Sequence, residues 1–506
     1  MKDIRTPMAA KSAGALERLN RSRLDLIPAT VKRPGFNPAE LTCGILHFGC
    51  GAFHRGHQAV VTQRAIELEG AQGLRWGIAS ASMHRPTTPE LLRPQGGLYT
   101  VMERDADGTR SEVIGSLGEI IHAPGDQLGL PERMANPAIR LVTLTVTANG
   151  YTLEPSSDRL NVDHPHVVHD LEASRRPKSA VGNLARGLDL IKRRGGVPPV
   201  IISCDNVSSN GQTLRQAVID FAALRDDKLA AWIGEHVQFP STMVDRIVPA
   251  TRPSDIVEAA GLLGLSDLAP ISAEPFLAWV IENFEGERPL WDHAGARFVN
   301  KVEPFELAKL RLLNGTHMLL AYVGAVAGYG TIAAASRDER LGALARRFML
   351  DEQSIGLELS AAELATDVDR LMARLRNPAI RHEVSRIGRN GSIKLATRIM
   401  TPLRENVQAG RTVDIALLAM ACWISWQAPD AEVRYGIKPQ DPNLSRLQAL
   451  YVAAQGRPEA LARRFTAQED IFGPPLEPLQ LERLTLMLGR LQAGAIHELM
   501  ADMLAG

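Results

Sequence analysis

The chain has 506 residues, 45% hydrophobic and 23% charged, and its 57 Lys plus Arg are balanced by 57 Asp plus Glu. At roughly 150 residues per domain this length allows about three ordinary domains or two large ones, and the composition excludes collagenous, disordered and disulfide-scaffold chains. With no net charge there is no field to draw the chain onto nucleic acid or an anionic bilayer, so a charged ligand has to be held by a local cluster.

The first 40 residues are polar and carry Pro28, Pro34 and Pro38, which reads as an N-terminal arm. Cys43-Gly44-Ile45-Leu46-His47-Phe48 is a short apolar run, followed by Gly49-Cys50-Gly51-Ala52-Phe53-His54 and by helical spacing from about residue 57 to 68. That order is strand, glycine turn, helix. Residues 76–80, 139–146 and 200–204 read as further buried parallel strands, each ending in small or polar residues. From about residue 297 the segments become rich in Leu, Ala, Arg and Glu with helical spacing, at 306–323, 341–349, 361–375 and 479–504. The expected architecture is an α/β domain with a parallel-containing sheet over 41–298, then a mostly α-helical domain over 299–506. Cys43, Cys50, Cys204 and Cys422 form no C-x-x-C or Cys/His grouping, which points to a reducing compartment and no metal. Residues 1–26 lack the apolar stretch of a secretory signal, and the apolar runs 318–330 and 415–426 fall short of about 18 residues. A cytoplasmic protein without membrane or nucleic-acid partners is expected.

In the glycine turn, Gly49 and Gly51 can take positive φ and let the backbone approach a pyrophosphate, while the N–H groups opening the next helix favour negative charge. His54 stands where a third glycine is usual. A tight structural turn and a Rossmann-like dinucleotide turn are both compatible with this pattern; the strand before it and the helix after it favour the second. The second strand ends Ala79-Ser80-Ala81-Ser82-Met83-His84-Arg85, with no carboxylate before Glu90. This departure weakens the case for a strict NAD preference: Ser82 can only hydrogen-bond a ribose hydroxyl, while Arg85 either meets a 2′-phosphate or is simply solvated, so NADP stays open beside NAD.

Residues 304–317 carry most of the chemistry. At about 100° per residue, with Lys309 as zero, Glu306 falls near 60°, His317 near 80° and Asn314 near 140°. Four polar groups thus share one side of a helix whose neighbours are Leu, Ala and Met. A desolvated lysine there can lose its proton near neutral pH and act as a base, whereas a plain surface ion pair between Glu306 and Lys309 fits the same spacing. Ser203-Cys204-Asp205-Asn206 follows a predicted strand; an Asn amide there can donate to a developing alkoxide or simply close a turn.

At Gly49-x-Gly51-x-Phe53-His54-Arg55, Ser203-Cys204-Asp205-Asn206, Met243-Val244-Asp245-Arg246-Ile247-Val248-Pro249 and Lys309-x4-Asn314-x2-His317 the chain resembles the polyol-specific long-chain dehydrogenase/reductase family, over nearly its whole length from about residue 44. The resemblance implies metal-independent hydride transfer with NAD. In it Lys309 is general base and acid, Asn206 and Asn314 hold the reacting oxygen, His317 orients the substrate and Glu306 tunes the lysine. It places Asp245, Arg386 and Lys394 at the substrate and Gly49, Gly51, Phe53, His54 and Arg55 at the cofactor, alongside Ser82, which the end of the second strand offers to the ribose. Several stretches are most similar to the uronate-reductase branch, among them Leu144-Thr145-Val146-Thr147 with Gly150-Tyr151, and His169-Asp170-Leu171-Glu172. This implies reduction of D-fructuronate to D-mannonate and its reverse, with oxidation of a neutral polyol such as mannitol, arabinitol or sorbitol as the alternative. The family implies Lys309, Asn314 and His317 meeting the cofactor across an interdomain cleft. Residues 80–86 depart from the branch, as does Ala396, where Pro is usual. A dinucleotide-binding regulator without turnover is the rival of another class, since fold alone does not prove turnover. None of these motifs specifies an oligomeric state.

Overall fold

A strand that is apolar on both faces has no solvent side, and the continuous apolar runs of the first half accordingly become neighbours in one parallel sheet. The computed structural model describes residues 16–154, 159–172 and 176–505; the first fifteen residues of the arm lie outside them. In chain order the strands are β1 (Cys43–Phe48), β2 (Gly77–Ser82), β3 (Tyr99–Asp105), β4 (Gly108–Ile114), β5 (Leu117–His122), β6 (Leu141–Leu144), β7 (Val200–Ser203), β8 (Thr242–Asp245), β9 (Ile271–Ala273), β10 (Ala278–Glu282) and β11 (Ala296–Val299). The chain divides into two compact units, Met1–Val302 and Glu303–Gly506.

The main sheet of the first unit has the order β5-β2-β1-β6-β7 with every pair parallel. Phe48 lies opposite Ala81 on one side and Leu144 on the other. Because side chains alternate along a strand, Ile45 clusters with Val60 and Ile66 of helix Gln58–Glu69, while Leu46 and Phe48 cluster with Leu184, Leu214 and Phe221 of helices Ala180–Arg193 and Asn210–Ala223. From β1 the chain moves outward through β2 to β5, then returns to β6 on the other side of β1. The strand order therefore reverses between β1 and β6, and the crevice at their carboxyl ends is the general ligand position of such sheets. The fifth strand, β5, does not stand out in the sequence: it is an edge strand that carries Gly118 and exposed Glu119. Two three-stranded sheets, β11-β10-β8 and β4-β3-β9, complete the unit. The described part of the arm packs onto it, with Leu19, Ile27 and Val31 buried against Leu98, Val113 and Leu263.

Among the described residues the second unit has helices and no strand. Its centre is helix Asp414–Trp426, apolar after its first residue except for Ser425 and buried on every side against helices Thr316–Val326 and Pro478–Gln492. Val413 offers this helix no side-chain cap, so the Glu352 carboxylate serves, accepting from the N–H groups of Ile415 at 2.8 Å and Ala416 at 2.9 Å. Three π-helical turns interrupt the helices, at Lys309–Gly315, Phe348–Glu352 and Ala396–Met400, and the first packs on the third. No helix among the described residues is long and apolar enough to cross a membrane.

Candidate active site

In the first unit Gly49, Ser82, Asn206 and Asp245 each lie at or just beyond the carboxyl end of a strand. Gly49 has φ +112°, and a Cβ added there would stand 2.1 Å from the carbonyl oxygen of Thr145, the residue after β6. The reversal point of the sheet leaves no room for a side chain. Gly51 differs: its φ is −84°, it is exposed, and an added Cβ would meet nothing nearer than the Gly49 oxygen at 4.0 Å. Packing does not demand glycine here, whereas close approach of a pyrophosphate does. Ala52 and Phe53 open the helical turn Ala52–Gly56 and are half-buried.

His54 and Arg55 point inward. The His54 ring stacks on His47 with centroids 3.4 Å apart, and His47 meets Thr143 Oγ1 at 2.7 Å and the Gly49 carbonyl at 3.0 Å. Burial holds both rings neutral, His47 lowered to about 3 and His54 well below the usual imidazole range. Arg55 donates to the Ala269 carbonyl at 2.7 Å with its guanidinium over the Tyr99 ring. Both side chains thus brace the turn from beneath. At the end of β2, the Ser82 hydroxyl donates to the Arg85 carbonyl at 2.6 Å.

The loop after β7 is pinned by two buried side chains that spacing alone does not single out. Asp205 accepts from the N–H groups of Val146 at 3.1 Å and Thr147 at 2.7 Å and from the Tyr151 hydroxyl at 3.1 Å. Burial pushes its carboxyl above the usual range, and these donors pull the other way. Asn210 donates to the carbonyls of Asp205 and Thr242 and accepts from the Thr242 N–H. Between them Asn206 is exposed, on a backbone with little freedom. Thr147 has φ 66° and ψ 163°, a region that costs a residue with a side chain about 1–3 kcal/mol and that concentrates at functional sites. Asp245 is half-buried at the end of β8.

Glu306, Lys309, Asn314 and His317 lie on one unbroken helical run, but the Lys309–Gly315 stretch is a π turn rather than α. An α-helix sets Lys309 and Asn314 about 140° apart; i→i+5 bonding returns the fifth residue over the first, so Asn314 swings towards Lys309. This corrects the angles that a uniform 100° per residue gives. Glu306, Lys309 and Asn314 are half-buried, and His317 is 7% exposed. The Asn314 amide makes no hydrogen bond with another described residue, and neither does the buried His317 Nε2. Burial first, then His382, Arg374, Arg398 and Lys394, hold His317 well below the usual imidazole range, so it is a neutral donor and acceptor. Its ring meets His382 edge-on at 5.0 Å.

Arg386 stands on helix Val384–Gly388 and Lys394 on Gly391–Leu395. This segment lies tight against the core because Gly391 lets it: a Cβ there would stand 2.1 Å from Trp423 Nε1. Lys394 donates to the Ile387 carbonyl at 2.9 Å, and burial, then Arg398 and Arg389, against an opposing pull from Asp441, bring its ammonium down to about 8. Arg386 is exposed and adds its charge to burial in lowering His382 to about 4. Asp441, the acidic group nearest Lys394 in effect, accepts from the N–H groups of Ser392 and Asn443. Among the described residues no group of three or more His, Cys, Asp or Glu is placed to share a metal ion.

Comparison with known proteins gives the site a family. The profile of the mannitol dehydrogenase Rossmann domain matches residues 43–293, and that of the mannitol dehydrogenase C-terminal domain matches 301–478. D-mannonate oxidoreductase of Escherichia coli is 39% identical over 432 residues, 84% of this chain and 88% of the relative. Mannitol 2-dehydrogenase of Cereibacter sphaeroides is 34% identical over 83% of this chain and 88% of its own length. The solved Pseudomonas fluorescens mannitol 2-dehydrogenase, a ternary complex with NAD and D-mannitol, superposes with a TM-score of 0.83 at 30% identity, covering 96% of this chain and 99% of that one. The chain belongs to the mannitol dehydrogenase family of oxidoreductases.

Proposed function

We propose that this protein is an NAD-dependent oxidoreductase acting on the CH–OH group of a sugar acid, interconverting D-mannonate and D-fructuronate. The observation that carries the sugar-acid reading is the cluster of Arg386, Arg389 and Lys394 near His317, whose acidic neighbour Asp441 is engaged with backbone N–H groups. Positive charge left without a carboxylate suits a substrate that brings one. NAD, when bound, supplies the hydride acceptor. Gly49, Gly51 and Phe53 hold it at the turn, Ser82 at its ribose, and His54 and Arg55 serve it by bracing that turn. Lys309 takes the hydroxyl proton in oxidation and returns it in reduction, tuned by Glu306. Asn206 and Asn314 donate to the reacting oxygen, His317 orients the neighbouring hydroxyl, and Asp245, Arg386 and Lys394 hold the rest of the substrate.

A second reading, oxidation of a neutral polyol at carbon 2, draws on the likeness to mannitol 2-dehydrogenases. A panel of D-mannonate, D-mannitol and D-arabinitol run with NAD and NADP decides between them. D-mannonate with NAD is expected to give the highest kcat/KM by about tenfold or more; a preference for D-mannitol rejects the sugar-acid reading.

The same cations set a pH dependence. Lys394 is lowered from the usual lysine value to about 8, so it loses its charge as pH rises through that value. Because kcat/KM reports groups of the free enzyme, the D-mannonate to D-mannitol ratio of kcat/KM is expected to be highest below about pH 8 and to fall about tenfold above it. Proton transfer at Lys309 is common to both substrates and cancels in the ratio. A flat ratio from pH 6.5 to 10 removes Lys394 from acid recognition.

A further inference from the structure

One cation of the second unit has no part in the roles above. Arg398 sits half-buried in the π turn Ala396–Met400, its carbonyl fixed by a 3.1 Å hydrogen bond from Gln353. Gln353 is also the side chain packed on Gly315, within 2.9 Å of where a Cβ would stand. One residue therefore ties the turn that carries Arg398 to the turn that carries Lys309 and Asn314. The Arg398 guanidinium makes no ion pair or hydrogen bond with another described residue, although its charge acts on His317, Tyr322 and Lys394. Two of these neighbours present buried polar atoms that lack a partner among the described residues, His317 Nε2 and the Tyr322 hydroxyl. Elsewhere in this unit a buried arginine is paired: Arg311 meets Glu405 at 2.8 Å.

We infer that Arg398 is the residue that recognises the carboxylate of a sugar-acid substrate, beside Lys394. A half-desolvated guanidinium with no carboxylate of its own is costly to hold, and an incoming anion relieves that cost. Its planar fork meets both oxygens of a carboxylate, whereas the CH₂OH end of a polyol offers one uncharged oxygen. Lys394 adds a point charge to that recognition; Arg398 supplies the two-point contact that a CH₂OH end cannot complete. This inference rests on the sugar-acid reading proposed above, and the test keeps the two apart.

D-mannonate and D-mannitol differ in a carboxylate against a CH₂OH group, so their kcat/KM values with NAD isolate the contact. Arg398→Leu is expected to lower the D-mannonate to D-mannitol ratio by about 10–100-fold, mostly through KM for D-mannonate, with partial recovery in Arg398→Lys. Arg398→Gln, which keeps the volume and polarity, is expected to show the same fall and stands in should the Leu variant fail to fold. A wild-type enzyme that prefers D-mannitol overturns the sugar-acid reading and this inference with it. A wild-type preference for D-mannonate that persists undiminished in the Leu and Gln variants overturns the role of Arg398 alone.

Discussion

Lys309→Met is expected to lower kcat for alcohol oxidation by about 10²–10⁴-fold, with the affinity for NAD and the melting temperature close to those of the parent chain. The side chain is half-buried in the π turn, one helical turn from Glu306 and brought near Asn314 by the widened backbone. Such a loss corresponds to about 3–5.5 kcal/mol of barrier. Lys and Met are nearly equal as helix formers, so the exchange itself costs at most a few tenths of a kcal/mol. The two magnitudes do not overlap, and a loss of the expected size reports proton transfer rather than damaged structure. The pH-rate limb of the base should vanish with it. A variant retaining more than about a tenth of the activity takes Lys309 out of the reaction.

How far the sequence reveals this arrangement depends on what fixes each part. Strands β1, β2, β6 and β7 are visible because each is flanked by a strand on both sides in the sheet or carries apolar residues on both faces, and burial writes itself as an unbroken apolar run. The hairpin β3–β4 and the edge strand β5 carry charged residues such as Glu103, Arg110 and Glu119, which suit solvent on one side and hide the strand from that criterion. Helical spacing after residue 303 is legible for the same reason as the central strands: the core stripe of helix Thr316–Val326 is made by local residues.

The π turn is another matter. Its widening is set by contacts far along the chain, with Gln353 filling the space over Gly315 and Ala396–Met400 packed alongside. No periodicity within residues 306–317 records those partners, so angles computed for a regular helix misplace Asn314. The loop after β7 shows the same limit. Asp205, Asn206 and Asn210 are all short polar residues within six positions, and only the fold decides that two turn inward and one faces out. The N–H groups of Val146 and Thr147, which select Asp205, come from the segment just beyond the adjacent strand β6. Residue types near a strand end thus suggest chemistry, while the assignment of each side chain comes from neighbours distant in sequence.

The glycine turn allows two readings from sequence, and its two glycines are expected to respond differently to one methyl group. Gly49→Ala is expected to destabilise the protein by about 3–5 kcal/mol or to prevent folding. Two costs combine: alanine at φ +112° is strained, and its Cβ would sit 2.1 Å from the Thr145 oxygen and 2.8 Å from its carbonyl carbon. Neither side can yield cheaply, because Gly49 N–H is held by Ala81 and Thr145 N–H by Phe48, each at 2.8 Å. Gly51→Ala meets no such obstacle, with φ −84° and the nearest atom at 4.0 Å. It should fold with an unchanged melting temperature, or one slightly raised by the smaller entropy of its unfolded chain. If the turn cradles a pyrophosphate, that methyl group stands where the phosphates approach, and the Kd for NAD should rise about tenfold or more. Calorimetry and NAD titration on the two variants therefore measure separate properties. Undiminished NAD binding by a stable Gly51→Ala protein would leave this turn a structural one and move the cofactor elsewhere along the sheet edge.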